Sequence, residues 1–543
     1  MKGLSLRQHW VWLALPALLI LPLLVVFASW FAPKWDIWQH LVETVLATYL
    51  VNSLLLASGT GLLSLLLGGS LAWLVARYHF SGKTWLSWAL VLPLAMPAYI
   101  VAYSYAGLLD AAGPIQSQLR ALTGWGYHEY WFPQIRSLGG AIVILSLVLY
   151  PYVYLLARQA FSQQNPAWRE AARSLSSRGY LWRVALPLAR PALLGGTALV
   201  MMEAFADYGT VAYFGIPVLT TGIFRIWFGM GDVAAAAQLS ALLCAIAMGL
   251  VALELMNRRQ LRFFDRSAGS RRIAPQVLSG WRNYLATAYA LLVLAGGFLV
   301  PAVTLLYWSL ADLSVWTQLD FGQLLRNSLG LASLSALFVV ATALMLVYGL
   351  RQRLATSLQL LIRGSGFGYA IPGTVIAIGV LWPLSQLDQW LDFWAEQWFG
   401  LRLGLVFTGT VVALILAYLV RFIAVAMQPL EAAFSQIPPS MDQAARSLGC
   451  SRWQVLWRVH RPLLTGPVWI ALLLVFVDVL KELPATLLLR PFNFDTLAVR
   501  TFELASDEQL AAAAVPALTI VLAGLLPLIW LNRAAEGRRY VGH

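Results

Sequence analysis

The sequence predicts an all-α polytopic membrane protein of about twelve transmembrane helices, set out as two parallel six-helix repeats with pseudo-twofold symmetry. Three observations carry that expectation. Hydrophobic residues fill 60% of the 543 positions and charged residues only 11%, more apolar surface than a water-soluble globule can hide. Apolar runs long enough to cross a bilayer, roughly 20 residues each, recur along the whole chain. An Asn-Ser-Leu block at residues 52–54 returns at residues 327–329, an offset of 275 that also carries Pro97 onto Pro372, Pro187 onto Pro462, Glu203 onto Asp478, Asp207 onto Glu482, Thr221 onto Thr496 and Arg225 onto Arg500. One membrane unit has been written twice.

The runs centre near residues 20, 64, 97, 149, 201, 245, 297, 339, 375, 415, 475 and 521. The first, from about Trp10 to Phe31, follows Lys2 and Arg7 as a secretory signal would, but it is too long for a typical signal core and more spans follow, so an uncleaved anchor is expected. An even number of spans in the first copy brings the second in from the same side, which makes the repeats parallel. Positive charge falls in alternate loops: Lys2 and Arg7, Arg77 and Lys83, Arg158 through Arg190, Arg258 through Arg272, Arg351 through Arg363, Arg446 through Arg461, and Arg533 through Arg539. Those loops and both termini are expected in the cytoplasm. The opposite loops carry Asp36, Asp110, Asp312, Asp320, Asp388, Asp392, Glu396, Asp507 and Glu508 and are expected outside. The expected divisions are residues 1–47 (first span and first outer loop), 48–256 (first repeated domain), 257–322 (Arg-rich cytoplasmic linker and seventh span), 323–532 (second repeated domain) and 533–543 (cytoplasmic tail).

Several function classes fall away. The +13 balance sits in short loops between apolar runs, which is a membrane-orientation pattern and not a nucleic-acid footprint. Two cysteines, Cys244 and Cys450, make neither a disulfide framework nor a four-ligand metal site. Gly82-Lys83-Thr84 looks like the end of a phosphate-binding loop, but Arg77 stands where the pattern needs glycine and no strand is expected to precede it. The chain is therefore not expected to hydrolyse ATP, and an intramembrane enzyme would need a nucleophile and base that no spacing supplies.

The informative polar residues lie in the fifth span of each half. Glu203 and Asp207, and again Asp478 and Glu482, are four apart and are expected to share one helix face. A charge at the centre of a span costs on the order of 2.5–3.5 kcal/mol on insertion scales, so four matched carboxylates need a reason. Two readings stand: they pair with Lys481 or cap helix ends, or they line a path for a cationic or hard-metal substrate, bound transiently and with no stable metal site. Thr221 and Arg225, matched by Thr496 and Arg500, suggest a short helix offering a hydroxyl and a guanidinium to a docking protein or outer gate; an arginine snorkelling to headgroups is the alternative. Pro97 and Pro372 are expected to kink the third span of each half, as hinge or as packing defect. Tyr99, Tyr103, Tyr150, Tyr152 and Tyr154 either offer phenol oxygens to a metal or belong to an aromatic belt.

The loop after each fourth span is long, basic and repeated: EAARSLSSRGYLWRVALP from Glu170 to Pro187, and QAARSLGCSRWQVLWRVHRP from Gln443 to Pro462. Good helix formers, then Gly449, then an amphipathic stretch ending at proline describe two short helices with a bend between them. At these residues the chain resembles the permease subunits of binding-protein-dependent ABC importers, whose loop carries EAA, a glycine and a terminal Leu-Pro. It departs from that pattern at Ser176, Gln443 and Arg461, and the first copy is two residues shorter between Ser176 and Pro187 than the second is between Gly449 and Pro462. The resemblance implies that 48–256 and 323–532 are transmembrane domains of this ABC type. It implies that Glu170, Ala171, Ala172, Ser176 and Pro187 with Gln443, Ala444, Ala445, Gly449 and Pro462 form coupling loops for a cytoplasmic ABC ATPase dimer. The stretches from Glu203 to Phe228 and from Val475 to Glu503 further resemble ferric iron permeases, implying a periplasmic iron-binding protein, a bacterial inner-membrane location, alternating access and no cofactor on this chain. The same machine serving a polyamine, thiamine or a phosphonate is an alternative, as is a proton-coupled secondary transporter using the acids as relays.

Overall fold

The computed structural model describes residues 6–164, 180–260, 276–311, 316, 320–352 and 354–540. The long helices run in chain order as α1 (Leu6–Ala28), α2 (Leu46–Arg77), α3 (Ala98–Leu109), α4 (Leu138–Ser162), α5 (Leu186–Ala206), α6 (Val233–Gln260), α7 (Trp281–Ala311), α8 (Phe321–Arg351), α9 (Gly373–Phe399), α10 (Val411–Ser435), α11 (Arg461–Leu480) and α12 (Leu510–Tyr540). Among the described residues the β structure is one parallel bridge of Tyr78–His79 with Gln276–Val277, which ties the far end of the linker to the first half. Among the described residues ten helices are long and apolar enough to cross a membrane, or eleven with the bent pair Lys83–Ala95 and Ala98–Thr123 counted as one span. The remaining expected span is α9, 27 residues long, whose second half is polar.

That polar half corrects the sequence reading. Asp388, Asp392 and Glu396 sit on α9 itself, four apart, and stitch the returning chain to the helix. Asp388 accepts from the Phe407 and Thr408 amides at 2.9 Å each, and Asp392 accepts from Leu403 N at 2.7 Å and Gly404 N at 3.0 Å. Glu396 pairs with Arg402 at 2.9 Å. The i, i+4 spacing that puts them on one face makes them a seam instead of a loop.

The prolines also act differently from expectation. Neither kinks a continuous span: each opens a new helix after a short 3₁₀ turn, with a bend of 92° across the break in the first half. Proline drives the residue before it out of helical geometry, and Met96 (ψ 121°) and Ile371 (ψ 131°) are both extended. Irregular backbone is tolerated at such a place because it is buried in protein; Met96 and Ile371 are each 1% exposed.

Each half lends its first helix to the other. The α1 carbonyl of Pro22 lies where a Cβ on Gly379 of α9 would fall, and Trp12 packs over Gly349 of α8. Reciprocally, α7 lies on the first half: Trp308 stacks on Tyr103 with ring centroids 6.2 Å apart, and Tyr105 Oη donates to the Gly296 carbonyl at 2.6 Å. Within the first half, Gly68 of α2 and Gly196 of α5 press against the α4 backbone near Tyr150 and Val153, the small-residue contact that lets helices approach in lipid.

The recurring Asn-Ser block has a structural role in both copies. Asn52 Nδ2 donates to the Pro217 carbonyl at 2.9 Å while Ser53 Oγ accepts from Leu219 N at 3.0 Å. Asn327 and Ser328 hold Asp495 O at 3.1 Å and Leu497 N at 2.7 Å. Each pair pins the irregular segment that follows the fifth span.

Candidate functional site

Both fifth spans break at their acids. The α5 helix ends at Ala206 and α11 at Leu480, so Asp207 and Glu482 lie beyond the helix ends and do not share a face with Glu203 and Asp478 as the spacing alone predicted. The chain restarts as two short helices, Gly209–Tyr213 and Pro484–Leu489. Asp207 accepts from Thr210 N (3.1 Å), Val211 N (3.2 Å) and Thr210 Oγ1 (3.0 Å). Glu482 accepts from Ala485 N (3.0 Å), Thr486 N (3.0 Å) and Thr486 Oγ1 (2.8 Å). A helix start leaves amide hydrogens without partners, and a carboxylate there satisfies them with a favourable charge. A local cap outcompetes continuation of the helix, which is why the period-based reading fails at this point.

All four carboxylates line one cavity of about 150 Å³. The other polar groups around it are Tyr99, Tyr152, Tyr208, Tyr369, Arg421 and Lys481, with Pro97 on its wall. Asp478 pairs with Lys481 at 2.8 Å, and Glu482 lies 3.7 Å from Arg421 Nη1. Glu203 of the first half faces the hydroxyl of Tyr369 from the second, which in turn lies 3.5 Å from Tyr152 Oη. Among the described residues no group of three or more His, Cys, Asp or Glu is placed to hold a metal. The other singled-out phenols are buried and donate to carbonyls: Tyr103 to Ala513 (3.4 Å), Tyr150 to Leu90 (2.9 Å) and Tyr154 to Ser87 (2.8 Å). They are packing groups, not a belt.

Arg421 and Tyr369 escaped the sequence reading. The signal for Arg421 was present: a lone arginine in the apolar run of α10, where the 275 offset places Ser146 in the first half. Tyr369, opposite Leu94 by the same offset, carries no signal of its own, because only the fold brings it to Glu203.

A second, open cavity of about 1110 Å³ lies beyond the breaks and is lined by Thr221, Arg225, Arg490, Arg500, Asp495 and Glu503 among others. The hydroxyls of Thr221 and Thr496 are not presented as expected. Thr221 Oγ1 accepts from Val218 N at 2.9 Å, and Thr496, 5% exposed, accepts from Val499 N at 3.4 Å; both are helix caps. The guanidiniums do line the cavity, Arg225 beside Tyr49 (3.3 Å) and Arg500 beside Glu503 (3.6 Å). Arg490 pairs with Asp495 and with Glu503. Tyr208 borders both cavities and stacks on Phe224 with ring centroids 3.7 Å apart, so aromatic rings separate them.

At the other end of α11 the second copy of the repeated basic loop forms a helix, Pro439–Ser447. Gln443 and Ala444 are exposed and Ala445 is buried. Gly449, at φ +84°, donates to Arg446 O (3.0 Å) while Cys450 donates to Ala445 O (3.1 Å), a Schellman stop that needs the left-handed residue. The next helix does not end at Pro462, as expected; it passes through a π-turn, Leu456–His460, into α11. The wider turn absorbs the hydrogen bond proline cannot make. Pro187 follows the same device, a π-turn at Leu181–Ala185, while Glu170, Ala171, Ala172 and Ser176 lie outside the described residues. Asp442 fastens the helix to the bundle, 2.7 Å from Arg351 Nε of α8 and 2.9 Å from His460 Nε2. Leu448, outside the candidate spans, is 85% exposed, and Trp457, near the start of the span Trp453–Leu480, is 60% exposed.

A duplicated bundle that encloses a polar cavity at paired helix breaks, with a helical handle outside the spans, defines a membrane transport permease. The profile of the family described as binding-protein-dependent transport system inner membrane component matches residues 64–260 and again 358–539, and this chain belongs to that family. It is 26% identical over 499 residues, 90% of each chain, to the Fe(3+)-transport system permease protein FbpB 2 of Haemophilus influenzae. It is 23% identical to the putative ferric transport system permease protein FbpB 1 of the same organism, over 87% of this chain and 75% of the relative. With the ferric transport system permease protein FbpB of Actinobacillus pleuropneumoniae it shares 22% identity, over 87% and 69%. The chain is therefore a multi-pass inner-membrane transport subunit, and not an enzyme. Its energy comes from a separate ATPase and its substrate from a binding protein.

Proposed function

We propose that this chain carries both membrane domains of an ATP-driven importer that takes ferric iron from a periplasmic binding protein and releases it inward by alternating access. The observation that carries the reading is the shared cavity, where acids from both halves meet at broken spans in a chain akin to ferric permeases over nearly its full length. Broken spans put helix ends and free backbone at a substrate site. The repeated units are 48–256 and 323–532, and both termini lie in the cytoplasm with the basic loops. An ATPase dimer docks on the two coupling loops, with the exposed face of Pro439–Ser447, Leu448 and Trp457 as the second contact. Asp442 relays the push to α8 and α11. The larger cavity, with Arg225 and Arg500, opens to the periplasm and receives the loaded binding protein; its guanidiniums suit carboxylates on that partner. Glu203 faces the passing metal, Asp478 is held by Lys481, and Asp207 and Glu482 hold the helix breaks.

The test is uptake of radioactive Fe(III) into liposomes holding the chain alone or with its ATPase and binding protein. Accumulation should require ATP and all components. Accumulation driven by a proton gradient without the ATPase would overturn the importer in favour of a secondary transporter.

A further inference from the structure

The cavity holds two cations that have no counterpart in the first half. By the 275 offset Arg421 stands opposite Ser146 and Lys481 opposite Ala206. Lys481 is neutralised by Asp478 at 2.8 Å. Arg421 is not held in the same way: its side chain is 14% exposed, its Nε and Nη1 are buried with no hydrogen-bond partner, and the nearest carboxylate oxygen, on Glu482, is 3.7 Å away. Both Glu482 oxygens are already taken by the amides and hydroxyl of the Pro484–Leu489 helix. A buried guanidinium with open donors is costly unless something accepts from them, and its planar fork matches an oxyanion.

The acids tell the complementary story. Asp207 and Glu482 are spent on helix starts and Asp478 on Lys481, which leaves Glu203, with the phenols of Tyr369 and Tyr152, to meet a metal. One carboxylate and two phenols are a thin oxygen shell for a hard trivalent ion. Ferric ion in neutral water hydrolyses unless other ligands hold it. The site thus offers a partial metal face and, on the other half, an unsatisfied anion fork.

We propose that the transported species is a ferric ion carrying one small oxyanion of phosphate size, with the Arg421 guanidinium taking the oxyanion and Glu203, Tyr152 and Tyr369 facing the metal. This rests on the ferric reading above and sharpens it. Only the second half supplies the anion contact, so the cavity is polar in one sense along the line joining the halves and fixes the orientation of an asymmetric complex. The cavity of about 150 Å³ has room for a metal with one such ligand.

The experiment is double-label uptake in liposomes holding the chain with its ATPase and binding protein, the latter loaded with ⁵⁵Fe(III) and either [³²P]phosphate or [¹⁴C]oxalate. The expected result is ATP-dependent accumulation of both labels in a ratio near one with at least one of the two anions. Arg421→Gln should cut both labels about tenfold per inserted molecule, with Arg421→Lys intermediate because it keeps the charge but loses the fork. The wild-type label ratio needs no variant, so a misfolded Arg421→Gln does not weaken the test. Iron accumulating with neither anion overturns the oxyanion proposal and leaves the ferric importer standing; no ATP-dependent iron uptake at all overturns both.

Discussion

The two fifth spans carry acids at matched positions and use them differently. In both halves the second acid, Asp207 or Glu482, caps the short helix after the break through two amides and a threonine hydroxyl. The first acids diverge: Asp478 is neutralised from its own half by Lys481, whereas Glu203 looks across to Tyr369. Duplication preserved the backbone break, because both copies need the same amides satisfied, and left the charge partners free to differ. A symmetric scaffold has come to enclose an asymmetric cavity.

That contrast can be broken from its strongest point downward. Glu482→Ala removes the cap and leaves Arg421 without its nearest counter-charge, so it should cost about 3–5 kcal/mol, while Asp207→Ala, with no such cation nearby, should cost about 1–2 kcal/mol. Thermal unfolding of the two purified variants checks this, and equal losses would mean that Glu482 does nothing for Arg421.

Next in size is the divergence of the first acids. Glu203→Gln keeps the shape of the side chain and should lower Fe(III) uptake per inserted molecule about tenfold, equivalent to about 1.4 kcal/mol in the barrier, with the yield of folded protein near wild type. Asp478→Asn strands Lys481 and should reduce the folded yield itself, and Lys481→Gln in the same chain should restore it. If Glu203→Gln loses folded protein and uptake in parallel, the first-half acid is structural like its partner.

Gly449→Asp tests the handle. No atom lies within 4 Å of the position where its Cβ would be built, but φ is +84°, so the cost is conformational, about 1 kcal/mol, and local. Insertion should be unchanged while co-purification of the ATPase and coupled uptake fall. Full coupling in this variant would move the docking contact elsewhere. The smallest effect is expected where the halves agree best: Ser53→Ala and Ser328→Ala each strand one buried amide, on Leu219 or Leu497, and should each destabilise by about 1 kcal/mol. Unequal values would show that the pinned segments carry different loads.

Much of this molecule is written along the chain. Membrane embedding, the duplication and the positions of the fifth-span acids follow from composition and from the 275 offset, because a bilayer demands long apolar helices and a repeat copies its polar exceptions. The repeated basic loop with its glycine stop is equally local, since a left-handed stop favours glycine wherever it occurs. Tertiary structure decided the rest. Helical spacing put Glu203 and Asp207 on one face, but the amides of the following short helix took Asp207 for a cap. Pro97 and Pro372 announced irregularity without saying that the span would break outright. The exchange of α1 and α7 between halves and the meeting of Glu203 with Tyr369 join residues more than a hundred positions apart, and the open donors of Arg421 depend on which helices close around it. Sequence periodicity reports only on neighbours within a helix turn, whereas these contacts depend on which helices pack together, and that choice is made by shape and polarity after the spans have formed.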